Sequence, residues 1–296
     1  MTKYNFFILI ILTTALMGSS FAIGKIGLSY SSPLLLAGLR FVLAGIIMAV
    51  IVKKFKRPQP SGYRNWRRVL IIGALQTAGV MGCIFISLRT ITASESSILT
   101  FMNPLLVIIF GTIFMGNRYR WYQWSGVVLG FVGVGIILGG IKDFNIGIVF
   151  GAFSAVFWAI STLLVNKWGM HFDTWALSAY QMLFGGGILL FLSFLLEDPF
   201  FYINKNSILI LLWLSIMSSI VQFAVWYFLL QKGDPGKTSS YLFLAPFFGV
   251  LTGNILLQEV ISYSLISGGI FILLGIYLVN NNFKKEIVSS NSYPLR

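Results

Sequence analysis

Apolar residues run through this chain in long, nearly unbroken stretches, with neither the strict alternation of a half-buried strand nor the one-sided stripe of a surface helix. A helix needs about 20 such residues to cross the ~30 Å hydrocarbon layer of a bilayer, and the stretches reach that length. Read by run length, they predict helices over 4–24, 33–52, 68–88, 94–115, 122–140, 146–166, 175–196, 207–231, 237–257 and 262–280. The segment KKFKRPQPSGYRNWRR at 53–68, with Pro58, Pro60 and Gly62, predicts a loop. The polar tail, 281–296, predicts disorder.

Composition turns this pattern into a class. Of 296 residues, 57% are hydrophobic and 10% charged, against about 25% charged in a soluble domain. The chain therefore reads as an all-α integral membrane protein with ten transmembrane helices, which use roughly 200 positions and leave no room for a soluble domain of ordinary size. One cysteine, Cys83, excludes an intrachain disulfide, and one histidine, His171, has no second ligand beside it to hold a metal. Lys3, the apolar run after it and Gly18-Ser19-Ser20 also outline a secretory signal, but the run continues to Lys25, so an uncleaved first helix is the simpler reading.

The net charge of +13 is distributed as the positive-inside rule expects, and it argues against a nucleic-acid partner. With the amino terminus inside, the inner face collects Lys3, the basic residues of 53–68, Arg118, Arg120, Lys167, Lys232, Lys237, Lys284, Lys285 and Arg296. Only Lys25, Arg89, Lys142 and Lys205 fall outside, and Arg40 lies within a span. Both termini are thus read as cytoplasmic, with the 53–68 loop held near anionic lipid headgroups.

The chain also matches itself. At an offset of 142, Ser97 meets Ser239, Phe101 meets Phe243, Pro104 meets Pro246, Gly111 meets Gly253 and Gly133 meets Gly275; at 141, Arg40 meets Gln181. The predicted halves, 4–140 and 146–280, hold five helices each, and an odd number turns the second half upside down, the inverted-repeat construction of secondary transporters. SSILTFMNP and SSYLFLAP in the fourth helix of each half, GSSFAIGK ending the first helix and the Arg40-Phe41 pair resemble the EamA-type drug/metabolite transporter superfamily. The resemblance covers residues ~10–280 and implies export of small molecules. It also implies a glutamate ending the fourth helix of each half: Glu259 keeps it, whereas Asn117 stands at the first-half position.

Pro104 and Pro246 each remove a backbone hydrogen bond and predict bent, hinge-like helices that line a cavity. Arg40 lies about 10 Å below the outer boundary, a costly position with no acidic residue in any mid-span. Its partner is either freed backbone carbonyl groups or an anionic group on the cargo. Polar and aromatic residues at mid-span depth complete the candidate binding wall: Ser20, Gln76, Asn103, Trp158, Ser161, Gln222, Trp226 and Tyr241. Such a wall suits a small zwitterion or a flat, moderately apolar metabolite. Glu95, three residues after Thr92, has the spacing of a capping box. The scarcity of acidic residues in the spans favours facilitated export or exchange over tight proton coupling. Gly126/Gly130, Gly147/Gly151 and Gly249/Gly253 allow close helix approach, within the bundle or between two copies in a homodimer.

The expectation is a secondary transporter that exports small metabolites, amino acids or drugs across the cell membrane by alternating access, without a cofactor. The competing reading is a membrane-embedded enzyme acting on a lipid or isoprenoid substrate, which needs a nucleophile with a base or an acidic metal cluster. Neither constellation is visible in the spans, so the chain is expected not to be an enzyme. No G-x-x-x-x-G-K-[ST] phosphate loop occurs, so the driving force is expected to be a gradient.

Overall fold

The computed structural model describes residues 3–139, 145–232 and 241–280. The expectations for Lys142, Lys237, Ser239 and the 281–296 tail lie outside these residues. The described part is built of helices: α1 (Lys3–Gly27), α2 (Pro33–Lys54), α3 (Gly62–Ser87), α4 (Ala93–Met115), α5 (Trp121–Gly139), α6 (Ile146–Trp168) and α7 (Thr174–Leu196). α8 follows as three consecutive stretches, Lys205–Ser215, Ile216–Val221 and Gln222–Lys232; then come α9 (Leu244–Leu257) and α10 (Tyr263–Asn280). Among the described residues, seven helices are long and apolar enough to cross a membrane, and α5, α9 and α10 are shorter apolar helices.

One prediction needs correction. α3 begins at Gly62 rather than at 68 and α2 runs on to Lys54, so the 53–68 segment is a loop only over 55–61. Its first turns are amphipathic: Val69 and Ile72 are buried while Arg64 and Arg67 are exposed. Counting apolar runs overlooks such a turn, because its basic side chains can reach water while the backbone stays helical.

Loop contacts sort the helix ends into two groups. At one, the α1–α2 and α7–α8 connections pair, with Ser32 N–H on Phe200 O and Tyr202 N–H on Tyr30 O, while Glu197 receives Leu34 N–H at 3.1 Å. Lys25 and Thr90 join this end, since Lys25 Nζ donates to Ile91 O and Asn145 Nδ2 to Thr90 O. At the other end Arg57 lies 3.9 Å from Asp173, Tyr180 OH bonds Gln59, and Arg68 stacks on Trp168.

Glycines set how closely the helices approach. α5 and α10 touch backbone to backbone, Gly126 against Gly275 and Gly133 against Gly268, leaving no room for a methyl group at any of the four. Gly147 and Gly151 press on the α3–α4 corner and Leu99, and Gly249 and Gly253 press on Ser97 and Ser94 of α4. Each of these glycine patterns is thus used for packing inside the chain. Because lipid tails are as apolar as leucine, such close approach and the polar links between helices specify the arrangement more than hydrophobicity does. The largest apolar cluster surrounds Phe21, Phe41, Phe85 and Phe101 and runs across α1 to α4 and α6 to α9, with Trp158, Ile220 and Phe223 packed against it.

Candidate functional site

Two helices are interrupted by π-helical bulges, α3 at Gly73–Gly79 and α8 at Ile216–Val221. A bulge slips the backbone ladder and leaves polar groups that need partners, which in a membrane must come from neighbouring helices. For α8 the partner is Arg40, which is only 3% exposed. Its Nε donates to Ser219 Oγ at 3.0 Å, and its Nη2 donates to Ser218 O and Ser218 Oγ, each at 3.0 Å. The guanidinium also lies over the Phe41 ring, 4.6 Å from its centroid. Ser218 in turn donates to Leu16 O of α1, and Ser219 to Leu214 O. Of the two partners open to Arg40, the structure uses a carbonyl of a broken helix, supplemented by two hydroxyls. Sequence reasoning passed over Ser218 and Ser219, and a serine pair in mid-span was the available signal.

The α3 bulge has a counterpart bond. Thr77 Oγ1 donates to Gln181 Oε1 at 2.8 Å, both residues being buried. Gln181 follows Arg40 by 141 positions, and Ser218 follows Thr77 by 141. Each bulge is therefore held by a polar residue at the matching position of α2 or α7, charged in one case and neutral in the other.

α4 is broken where Pro104 requires it. Its first segment ends at Phe101, and a second, Asn103–Met115, starts with the proline in its first turn, where a missing N–H costs nothing. Pro246 likewise occupies the first turn of α9, directly after a 3₁₀ turn at Tyr241–Phe243. It borders an apolar groove of about 140 Å³ shared with Ile98, Phe247, Val250, Leu265 and Ile270.

The start of α4 carries two carboxylates. Glu95 forms the expected capping box: Thr92 Oγ1 receives Glu95 N–H at 3.0 Å, and Glu95 Oε2 receives Thr92 N–H at 2.9 Å. Glu259, just beyond α9, reaches the same helix start. Its Oε1 accepts from Ala93 N–H at 2.6 Å, and its Oε2 accepts from Ser94 N–H at 3.1 Å and Ser94 Oγ at 2.7 Å. Lys25 Nζ stands 3.8 Å from Glu259, whose side chain is only 8% exposed.

The remaining wall candidates divide by whether their polar atoms are engaged. Ser20 Oγ turns back to Met17 O at 2.6 Å. Gln76, inside the α3 bulge, and Asn103, at the α4 break, form no side-chain hydrogen bond among the described residues, and neither do Gln222 and the indoles of Trp158 and Trp226. Gln222 takes part only through its backbone O, which accepts from Thr13 Oγ1 at 3.1 Å. Ser161 Oγ is fully buried without a partner. Other buried hydroxyls pair, Ser87 with Ser96 and Thr100 with Ser154, while Ser32 Oγ and Tyr122 OH, like Ser161 Oγ, are buried without a partner.

Depth groups them further. Gln76, Asn103 and Trp158 lie 11, 10 and 12 residues from Ser87, Ala93 and Ile146, the helix ends on the Lys25 side, about 15–18 Å at 1.5 Å per residue. Trp158 packs on Phe101 at 5.4 Å, and Phe101 on Phe21 at 5.9 Å, joining α6, α4 and α1. Tyr241 lies away from this layer, edge-on to Phe6 and Phe7 at the start of α1. Ser20 lies nearer the opposite end of α1, and Arg40 turns its Nε and Nη2 donors to α8.

Comparison with known proteins gives concordant results. The model of the EamA-like transporter family matches residues 5–139 and again 145–281. An uncharacterized transporter, YvbV, of Bacillus subtilis is 29% identical over 91% of this chain and 89% of its own. A probable amino-acid metabolite efflux pump of Salmonella typhimurium is 23% identical over 91% of this chain and 93% of its own. A solved crystal structure with 20% identity superposes with a TM-score of 0.66 over 94% of this chain and 96% of its own, so the fold is shared.

Proposed function

Because the chain belongs to the EamA-like transporter family, we propose that it is a secondary transporter exporting small metabolites, amino acids or related compounds foremost, across the cell membrane. Family membership makes it a multi-pass membrane protein of the transporter type. The observation that carries the finer reading is the layer of unpaired groups at mid-depth, Gln76, Asn103 and Trp158, with Ser161, Gln222 and Trp226 on the same helices or on α8. Polar groups that are left open inside a membrane protein mark a cargo or water path, since each costs free energy unless something binds it. Three amides offer both donors and acceptors, and the indoles add flat apolar surface, which suits a small zwitterion or a planar metabolite. The relative named as a probable amino-acid metabolite efflux pump supports that choice.

The machine is proposed as two inverted five-helix halves, 4–140 and 146–280, with both termini cytoplasmic and the halves rocking about the proline-bearing helices α4 and α9. Support comes from the matched bulges of α3 and α8, the prolines at equivalent helix starts, and the basic residues gathered at the Lys54 end. The same basic end is proposed to meet anionic headgroups. Arg40 is assigned to the α8 joint and not to the cargo wall.

The test is efflux from proteoliposomes loaded with a mixed pool of amino acids and small metabolites, read by mass spectrometry with and without a proton gradient. Selective loss of one class, insensitive to the gradient, is expected. Chemical conversion of a supplied lipid with no efflux would return the chain to the enzyme reading.

A further inference from the structure

The Lys25 end of the bundle is held shut by a clasp drawn from three places in the chain. The Glu259 carboxylate accepts from Ala93 N–H, Ser94 N–H and Ser94 Oγ, and Lys25 approaches it at 3.8 Å while donating to Ile91 O at 2.5 Å. The end of α1, the start of α4 and the turn after α9 are thereby tied together. Directly beneath, Gly249 of α9 is pressed so closely on Ser97 of α4 that a Cβ at position 249 would collide with its hydroxyl, and Ser97 is fully buried. No opening at this end can separate α9 from α4 without breaking the carboxylate's bonds. A carboxylate accepting from backbone N–H groups at a helix start is among the stronger links available, through charge assistance and the helix dipole.

The opposite end lacks the means to build the same clasp. At an offset of 142, Asn117 replaces Glu259, Pro235 replaces Ala93 and Gly236 replaces Ser94. The charge, one backbone donor and the hydroxyl donor are therefore missing by residue identity alone. Asn117 instead bonds the hydroxyl of its neighbour Tyr119 at 3.2 Å.

We propose that Glu259 is a one-sided latch that holds the outer end closed in the cargo-free protein, so that the resting transporter presents its site to the cytoplasm. This rests on the transport reading and on its orientation. Glu259 touches no cargo; it is a positioning residue that sets how often the outer end opens.

The experiment uses the full chain in intact cells with Cys83→Ser to remove the native thiol and Ser97→Cys as reporter, labelled from outside by a membrane-impermeant maleimide. Labelling is expected to be slow in this background, at least tenfold faster with Glu259→Gln, and intermediate with Glu259→Asp, which restores the charge on a shorter arm. Lys25→Gln, which keeps every bond to α4, is expected to give an increase of about threefold and serves as the reading if Glu259→Gln fails to reach the membrane. Unchanged labelling in a Glu259→Gln protein that reaches the membrane, or in Lys25→Gln if it does not, overturns the latch, even if efflux falls. Faster labelling only from the cytoplasmic side of inverted vesicles overturns the orientation and the proposal with it. Accelerated external labelling in a protein that moves no cargo in proteoliposomes supports the latch and overturns the transport reading instead.

Discussion

The two bulged helices solve one problem in different ways. At α3, two glycines bring the neighbouring helix in: a Cβ on Gly73 would meet Gln181 O, and one on Gly185 would meet Gly73 O, so the backbones nearly touch and a single neutral bond from Thr77 to Gln181 suffices. At α8, the position matching Gly185 is Ala44, and the link is made by reach, a long arginine delivering three bonds to Ser218 and Ser219. The first joint rests on contact and the second on a charged tether. If the halves rock, a joint of touching backbones moves as a hinge, whereas a tethered one permits sliding until its bonds break.

That difference can be broken from its stronger side first. Arg40→Met leaves the Ser218 carbonyl and two hydroxyls without their donor and is expected to cost about 3 kcal/mol, the scale of a lost charge-assisted bond with its acceptor stranded. The measurement is thermal unfolding in detergent, together with efflux of neutral and anionic cargo, which should fall alike; loss confined to carboxylates would place Arg40 on the wall after all. Gly185→Ala intrudes on the tight joint, where Thr77 and Gly73 O leave no space, and should cost roughly 1–3 kcal/mol by overpacking. Gln181→Met removes only a neutral bond and should cost about 0.6 and no more than about 2 kcal/mol. Smallest in stability is Gln76→Leu, one residue from Thr77 yet unpaired: unfolding should move by less than about 0.5 kcal/mol, while apparent KM rises roughly fivefold, the worth of one neutral hydrogen bond to cargo. A Tm drop equal to that of Gln181→Met would mean that Gln76 belongs to the joint.

Much of the helix plan was legible because membrane crossing demands long apolar runs, and the break at Pro104 and the Thr92–Glu95 box follow from local chemistry. The start of α3 was not, since its first turns look like a basic loop in any count of apolar residues. The bulges left no local mark, because a slipped hydrogen-bond ladder depends on which partner lies across from it, here Arg40 and Gln181, whose partners are 178 and 104 positions away. Burial cost alone left Arg40 two kinds of partner, and only the fold could supply Ser218. Glu259 was expected only from the family resemblance, with no role fixed; that it anchors α4, 166 positions earlier, is a tertiary fact. For the wall, the sequence could name polar residues by depth but not tell the engaged from the open, and so Arg40 and Gln76 stood together until their bonds were known.

A π-bulge accommodates one residue more than the α-helix it interrupts, and each residue turns an α-helix by about 100°. Beyond Gly79 on α3, and beyond Val221 on α8, every side chain is phased as though one position had been skipped. Removing a single residue inside either bulge would straighten the helix and leave both flanking faces pointing as before; the same removal elsewhere in the span would swing the remainder of the helix off its neighbours. In aligning this chain with its relatives, a one-residue gap inside an otherwise continuous span therefore belongs at one of these two stretches, and the connecting loops are the wrong place to put it.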